Sequence, residues 1–456
     1  MNPSLTDLQQ PGIRRQTPFP AAEFAARRER LFDAIGSGSH ALLQGAPAPR
    51  GYVVFRQTNE LYYCCGLESP QACLLLNGAR RQSTLFLPYR GQEQLGEGAA
   101  PGAEDADLVR EISGVAQVLA LEQLTEHLAE AKALYTPHAP AGLRGATRHH
   151  LFLADRAAAL DPWDGLPSRE QRLVGLLRSR FPGVVVHDLT PILDELRSVK
   201  SAREVDLMRR AGRLAAIAIR EAMRVTRPGV VEGQLGALAN YIYNVNGARG
   251  EGYRPIIAGG ENIWHIHYHR NDCPLRDGDL VLMDVGPECD YYTSDIGRMW
   301  PVNGTYAPWQ RQLYGYIVEY HKVLLRTIRP GVTPDQVMDE AAAEMSPVWE
   351  RWRFSNEAHR EGARRTLEFR GHLSHPVGMA VHDDGGYHHR PLVPGTVFAV
   401  DPQMWIHEER RYIRVEDTVV VTPDGIENLT RAAPLELDDV EALMREGRAE
   451  LPYLLA

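Results

Sequence analysis

Four carboxylates set among apolar residues are the first features of this 456-residue chain that call for a chemical explanation. Asp284 lies in LVLMDVG and Asp401 in TVFAVDP, core-like contexts where an uncompensated charge is costly. A lone acid beside a turn is ordinarily a solvated strand end. Here each acid has a companion. Asp284 and Asp295 flank the turn-like segment Pro287-Glu288-Cys289-Asp290, so a hairpin is expected to set them almost across from each other, with Cβ atoms about 5 Å apart. Asp401 and Glu416 stand about evenly around His407-Glu408-Glu409. Ionised carboxylates that close repel one another unless a cation lies between them, so the set predicts a metal site. The segment HLSHPVGMAVHDD at 372–384 adds His375 and His382. His265, His267 and His269 alternate in HIHYHRND, as on one face of a strand, and His388 and His389 in GYHHRP read as loop residues near the site's mouth.

Four acids converge only if a frame brings them together, and the chain supplies one by repetition. RPGV occurs at 227–230 and 329–332, each time between helical stretches, with Gln234 and Gln336 in equivalent places. Further on, LRDGDLVLMD at 275–284 aligns with LVPGTVFAVD at 392–401, placing Leu275 on Leu392, Gly278 on Gly395 and Asp284 on Asp401. A duplicated αββ unit closing about a pseudo-twofold axis brings equivalent acids to one central point. It begins near the helical run SAREVDLMRRAGRLAAIAIREAMRV, where Val205, Met208, Ala211, Leu214 and Ile217 recur every three residues.

Ahead of it, after a polar start, Ala21 to Ile35 reads as a helix burying Phe24, Leu31 and Ile35. The short apolar runs YVVF at 52–55, ACLLL at 72–76, TLFLP at 84–88 and VVVHDL at 184–189 alternate with further helical stretches, the pattern of an α/β domain. Tyr62 to Cys65 reads as a strand with buried thiols, and GEGAAPGAED at 96–105 as a surface loop. The expected architecture is α/β (α+β), an amino-terminal domain over 1–195 and a duplicated domain over 196–456.

Composition narrows the function. Fifty basic against 59 acidic residues leave a net charge of −9, no field for phosphate backbones, so neither nucleic acid nor membrane is an expected partner. Only Lys132, Lys200 and Lys322 among the basic residues are lysines. Five cysteines with no CxxC spacing, a start without an apolar core and no run of about 18 apolar residues point to a cytoplasmic protein.

These residues together resemble the pita-bread metallopeptidase family, most closely its aminopeptidase P and prolidase members, which act next to proline with two metal ions. Asp284, Asp295, His375 in the HxxGxxxHD-like segment, Asp401 in the EPG-like segment and Glu416 in Arg414-Val415-Glu416-Asp417 match the family's metal ligands. The front segment FRQTNELYYCCGLESPQACLLL at 55–76 is similar to the amino-terminal domain of aminopeptidase P. The resemblance implies that Asp295 and Glu416 bridge, that Asp284 completes one metal and His375 with Asp401 the other, and that the catalytic residues are His267, His382 and Asp401, the last as proton acceptor. It implies two divalent ions, Mn²⁺ foremost on oxygen-rich ligation with Zn²⁺, Co²⁺ or Fe²⁺ as alternatives, a proline-containing peptide substrate and a homodimer or homotetramer. The alternatives are a metal-free, creatinase-like hydrolase, a catalytically silent binding module and a methionine aminopeptidase. Two positions depart from the family pattern: Asp401-Pro402-Gln403 stands where Glu-Pro-Gly is usual, and Gly371 with His372 beside it stands where aminopeptidase P often has His.

Overall fold

The computed structural model describes residues 17–90 and 100–447, and the chain separates between Arg197 and Ser198 into two units. The polar start through residue 16 and positions 96–99 of the Gly-rich loop lie outside the described residues. In the first unit the expected helix spans Ala21–Ile35 and buries Phe24, Leu31 and Ile35. It also buries Arg28, whose guanidinium donates to the carbonyls of Cys64, Ser113 and Gly114. Two of these close the helix Ala106–Ser113, so the cation meets the negative end of that helix.

Six strands form the sheet of this unit: β1 (Ser39–Gln44), β2 (Cys73–Asn77), β3 (Gln82–Leu87), β4 (Gln117–Ala120), β5 (Ala133–Thr136) and β6 (Val185–Asp188), in the order β4-β3-β2-β1-β5-β6. Two of the apolar-run readings need correction. YVVF at 52–55 forms no strand, and its Tyr52, Val53 and Val54 are exposed. Tyr62 to Cys65 belong to a buried helix, Asn59–Cys65, because Thr58 caps its start and Gly66 ends it in a left-handed conformation. Those local signals outweigh the strand preference of paired tyrosines. Burial pushes the Cys64 and Cys65 thiols up to about 12.

The second unit opens on the helix Ala202–Val225. Ser201 Oγ accepts from Glu204 N while the Glu204 carboxylate accepts from Ser201 N. Val205, Met208, Ala211 and Leu214 are buried, but Ile217 is 43% exposed. A spacing of three falls short of the 3.6-residue turn, so the stripe drifts onto the solvent face and Ala218 and Ile219 take over inside.

The duplication is visible bond by bond. Gly229 N donates to Leu275 O and Leu275 N to Val230 O, both 2.8 Å; Gly331 N donates to Leu392 O and Leu392 N to Val332 O, also 2.8 Å. Both glycines have positive φ, 92° and 86°. Gln234 and Gln336 each accept from the backbone N–H three residues back, at Val231 and Thr333.

The strands are β7 (Ile256–Gly259), β8 (Leu280–Asp284), β9 (Ile296–Pro301), β10 (Val397–Val400), β11 (Gln403–Ile406), β12 (Arg411–Arg414), β13 (Glu416–Thr422) and β14 (Gly425–Asn428). An antiparallel sheet runs β10-β13-β9-β8-β7, with β14 on β13 and a separate β11-β12 hairpin. The equivalent pairs β8-β9 and β10-β13 meet where β9 lies against β13, Glu416 opposite Gly297 and Asp417 opposite Ile296. This is the pita-bread arrangement, and its centre is where the acids gather. Among the described residues no helix is long and apolar enough to cross a membrane.

Candidate metal centre

The first hairpin turns one residue later than the sequence suggests. Cys289 and Tyr292 exchange backbone hydrogen bonds across Asp290-Tyr291, whose φ values of 48° and 78° are both positive, as in a type I′ turn. The register therefore sets Asp284 opposite Gly297, not opposite Asp295, which lies two positions away on the diagonal. In the second half Val400 faces Asp417 and Gln403 faces Arg414, a register that puts Asp401 opposite Glu416 as expected.

Despite the offset, the side chains converge. Asp295, His375 and Glu416 present ligand atoms within 4.8 Å of one another. His375 Nε2 lies 3.4 Å from Asp295 Oδ2 and 3.5 Å from Glu416 Oε1. Tyr253, at the end of the loop before β7, joins the first pair: its hydroxyl is 2.7 Å from Asp284 Oδ1 and 2.6 Å from Asp295 Oδ1. Arg414 joins the rest, with Nη2 2.8 Å from Asp284 Oδ2, Nε 3.4 Å from Asp401 Oδ1, and a contact to Glu416. Gln403 Nε2 donates to Asp401 Oδ2 at 2.6 Å. All four acids and Arg414 are buried.

Burial pushes the carboxyls up, to about 6 for Asp295 with the charge of Asp284 adding to it, and to about 7 for Asp401 against the pull of Arg414. The Asp284 carboxyl is raised by the same burial. His375 shows the opposite balance. Burial disfavours its charged form, but hydrogen bonds and charges from Asp295 and Glu416 outweigh that and raise it to about 10. The His375 ring and one guanidinium face four carboxylates, and two buried oxygens, Glu416 Oε1 and Asp401 Oδ1, have only long contacts, 3.5 Å to His375 Nε2 and 3.4 Å to Arg414 Nε, and no close hydrogen bond. That surplus of buried, unsatisfied oxygen donors fits divalent cations.

Behind the centre Asp417 anchors β13. It meets Arg298 Nη2, His321 Nε2 and Thr430 Oγ1 at 2.8, 2.8 and 2.5 Å, and Arg298 Nη1 also donates to Glu416 O.

The remaining histidines take up distinct places. His382 stacks on His375 with ring centroids 3.7 Å apart, and His267 stands edge-on to His382 at 6.2 Å. His265, His267 and His269 point outward in alternation with Ile266 and Tyr268, but the segment is a turn after the 3₁₀ helix Gly260–Trp264, not a strand. His372 lines a cavity of about 350 Å³ beside Asp401, with Phe369, Leu373, Trp405 and His407. His388 Nε2 lies 3.2 Å from Ser374 O, close by, and His389 is exposed on the same turn.

The loop carrying His375 and His382 closes where Asp383 N donates to Pro376 O, and Lys200 pairs with Asp383 behind it at 3.5 Å, both side chains enclosed. Gly378 fits against this pair, since a Cβ there would lie 2.1 Å from Asp383 Oδ2. A second grouping, Glu232 with Asp272 and Cys273, also comes within ligand distance. Its buried carboxylate is already satisfied by Gly259 N, Cys273 N, Asn262 and Tyr268.

Sequence reasoning had no hold on Tyr253, which lies in no motif, or on the hydrogen bond from Gln403. Arg414 was in view only as a letter of the Arg-Val-Glu-Asp segment, although a basic residue two positions before a buried acid is a usable signal.

Residues 206–423 match metallopeptidase family M24, and residues 24–138 match the aminopeptidase P N-terminal domain. The chain is 31% identical to the Xaa-Pro aminopeptidase of Escherichia coli K12 over 457 residues, covering 94% of this chain and 98% of that protein. It is 30% identical to the Haemophilus influenzae Xaa-Pro aminopeptidase, with 93% and 98% covered. Among solved structures, E. coli aminopeptidase P with the inhibitor Pro-Leu superposes with a TM-score of 0.75 at 30% identity, over 94% of this chain and 98% of that one. The zinc-substituted form of that enzyme in complex with product gives 0.75 over 95% and 100%.

Proposed function

The chain belongs to metallopeptidase family M24 and is a metal-dependent Xaa-Pro peptidase, and from that premise we propose that it removes the residue ahead of proline from peptide amino termini. Asp284 and the shared Asp295 and Glu416 would hold one divalent ion; the same shared pair with His375 and Asp401 would hold a second. Two such ions polarise a peptide carbonyl and lower the pKa of a water between them. The chain's own part is the rest. Asp401, buried beside the other acids, is placed to accept the proton released there. His267 and His382, beside His375, are placed to donate hydrogen bonds to the carbonyl oxygen or the substrate backbone. The cavity beside Asp401, walled by Phe369, Leu373 and Trp405, offers apolar surface for a proline ring.

The observation that carries this reading is the pair of unsatisfied buried oxygens among four carboxylates. That arrangement favours a metal-holding centre over a metal-free one. Oxygen-rich ligation with one imidazole supports manganese as the native ion. Five free thiols support a cytoplasmic setting, and the family resemblance supports a homodimer or homotetramer. The test is a hydrolysis panel, with and without added Mn²⁺ and chelator, of Xaa-Pro-Xaa peptides, Xaa-Pro dipeptides and proline-free controls. Metal-dependent cleavage confined to the first group is expected; preference for dipeptides would make the enzyme a prolidase, and chelator-resistant cleavage would remove the metal from the mechanism.

A further inference from the structure

The departure at Asp401-Pro402-Gln403 has two halves that the structure joins. Replacing Glu by Asp shortens the side chain by one C–C bond, about 1.5 Å, against a metal–ligand tolerance of about 0.2 Å. The same segment puts a long amide where the family usually has no side chain. Gln403 sits on β11 opposite Arg414, and its Nε2 reaches back to Asp401 Oδ2 at 2.6 Å. The partner is a carboxylate, an acceptor only, so the amide must present its NH₂ side. Gln403 O in turn accepts from Thr366 Oγ1 at 3.1 Å, fastening the strand to the helix Glu357–Glu368. The other oxygen, Asp401 Oδ1, is buried, has no hydrogen-bond partner and stands 3.4 Å from Arg414 Nε.

We infer that Gln403 is a positioning residue that holds the shortened Asp401 in place and leaves it a single oxygen, Oδ1, to offer to a metal ion. The inference rests on the metal reading proposed above. Asp401 and Gln403 then form one unit, a short acid with an amide clamp, doing what a longer acid beside a glycine does in the family pattern. Oδ2 is spent on the amide, so Asp401 would bind an ion through one oxygen. The clamp restrains the carboxylate before any ion arrives, which is the role of groups that orient metal ligands.

A double-substitution cycle read by Mn²⁺ titration calorimetry on the substrate-free protein tests it, with thermal melting of each chain as a control for folding. Gln403→Leu and Gln403→Gly are each expected to weaken the second ion by about 10- to 100-fold and leave the first ion within about threefold. Asp401→Glu alone is expected to weaken it as well, because the longer acid meets the amide. The double variant Asp401→Glu/Gln403→Gly is expected to recover affinity to within about threefold of the natural chain. Unchanged affinity in both Gln403 variants, or a double variant whose losses simply add, would overturn the inference. A natural chain that takes up no Mn²⁺ would sink the metal reading itself and the inference with it, whereas two-ion binding untouched by Gln403 substitution removes the inference alone.

Discussion

The two halves of the second unit share a plan and differ in how they join their acids. In the first half Asp284 and Asp295 sit on a diagonal and are tied by a neutral group, the Tyr253 hydroxyl. In the second half Asp401 and Glu416 face each other in register and are tied by a cation, Arg414, which also reaches across to Asp284, with Gln403 on the far oxygen. The cause lies in the connections. The first half turns back at once through Asp290-Tyr291; the second continues past Pro402 into the β11-β12 hairpin before returning, and that hairpin supplies both Gln403 and Arg414. Duplication built a symmetric frame, and local turns made its two cation positions chemically unequal.

The sharpest test separates shared from private ligands. Asp295→Ala or Glu416→Ala is expected to strip both ions and lower turnover on the order of 10³-fold, whereas Asp284→Ala or His375→Ala leaves one ion bound. Elemental analysis of the purified variants counts them, and two ions retained without a central acid would show that the halves do not share it. Next in size is the second-half acid. Asp401→Asn, which keeps the shape and removes the charge, is expected to cost about 10²-fold in kcat, and Asp401→Glu about tenfold. An Asp401→Glu enzyme clearly faster than the natural one would mark the second half as weakened. Tyr253→Phe is expected to lower affinity for the first-half ion by about tenfold and for the other by less, since the hydroxyl also holds the shared Asp295, seen as unequal shifts in the two steps of the Mn²⁺ titration.

The smallest effect concerns the turn that the first half lacks. Burial tends to raise the Glu409 carboxyl, but the close His359 ring, 3.0 Å away, and hydrogen bonds from Arg411 and Asn356 outweigh it and hold it at about 2, below its usual 4.5. A depressed acid stabilises the fold above its unfolded value and loses that contribution as pH falls from about 4.5 through about 2. Wild type should therefore exceed Glu409→Gln by up to about 1 kcal/mol at pH 6, a gap that closes toward pH 3 in urea titrations. A pH-independent gap would contradict the assignment.

Sequence carried the site further than it carried the elements around it. Acids stranded in apolar runs are costly, so Asp284 and Asp401 announce a partner wherever they fold, and the repeated RPGV and Leu-Gly-Asp spacing locates the frame. The register of the first hairpin was not legible, because one residue decides which side chains pair and the turn Asp290-Tyr291 contains no glycine to mark it. Cys64 and Cys65 were misplaced because flanking caps decided a helix that composition disfavours. Ile217 was misplaced because a period of three cannot follow a helix for long. Tyr253 required the fold itself, since nothing nearby in sequence connects it to the acids it joins.

The enclosed Lys200–Asp383 pair gives the loop of His375 and His382 a chemical reporter. Lysines are so scarce in this chain that an amine-acylating reagent has few side chains to act on: Lys132 is exposed, Lys322 is partly so, and Lys200 is buried against Asp383 of the histidine loop. Acylation at Lys200 requires that its amine first leave Asp383 and reach solvent. The rate at which one lysine takes up label, followed by mass spectrometry, thus reports how often the contact that backs the histidine loop breaks, with no residue substituted to read it.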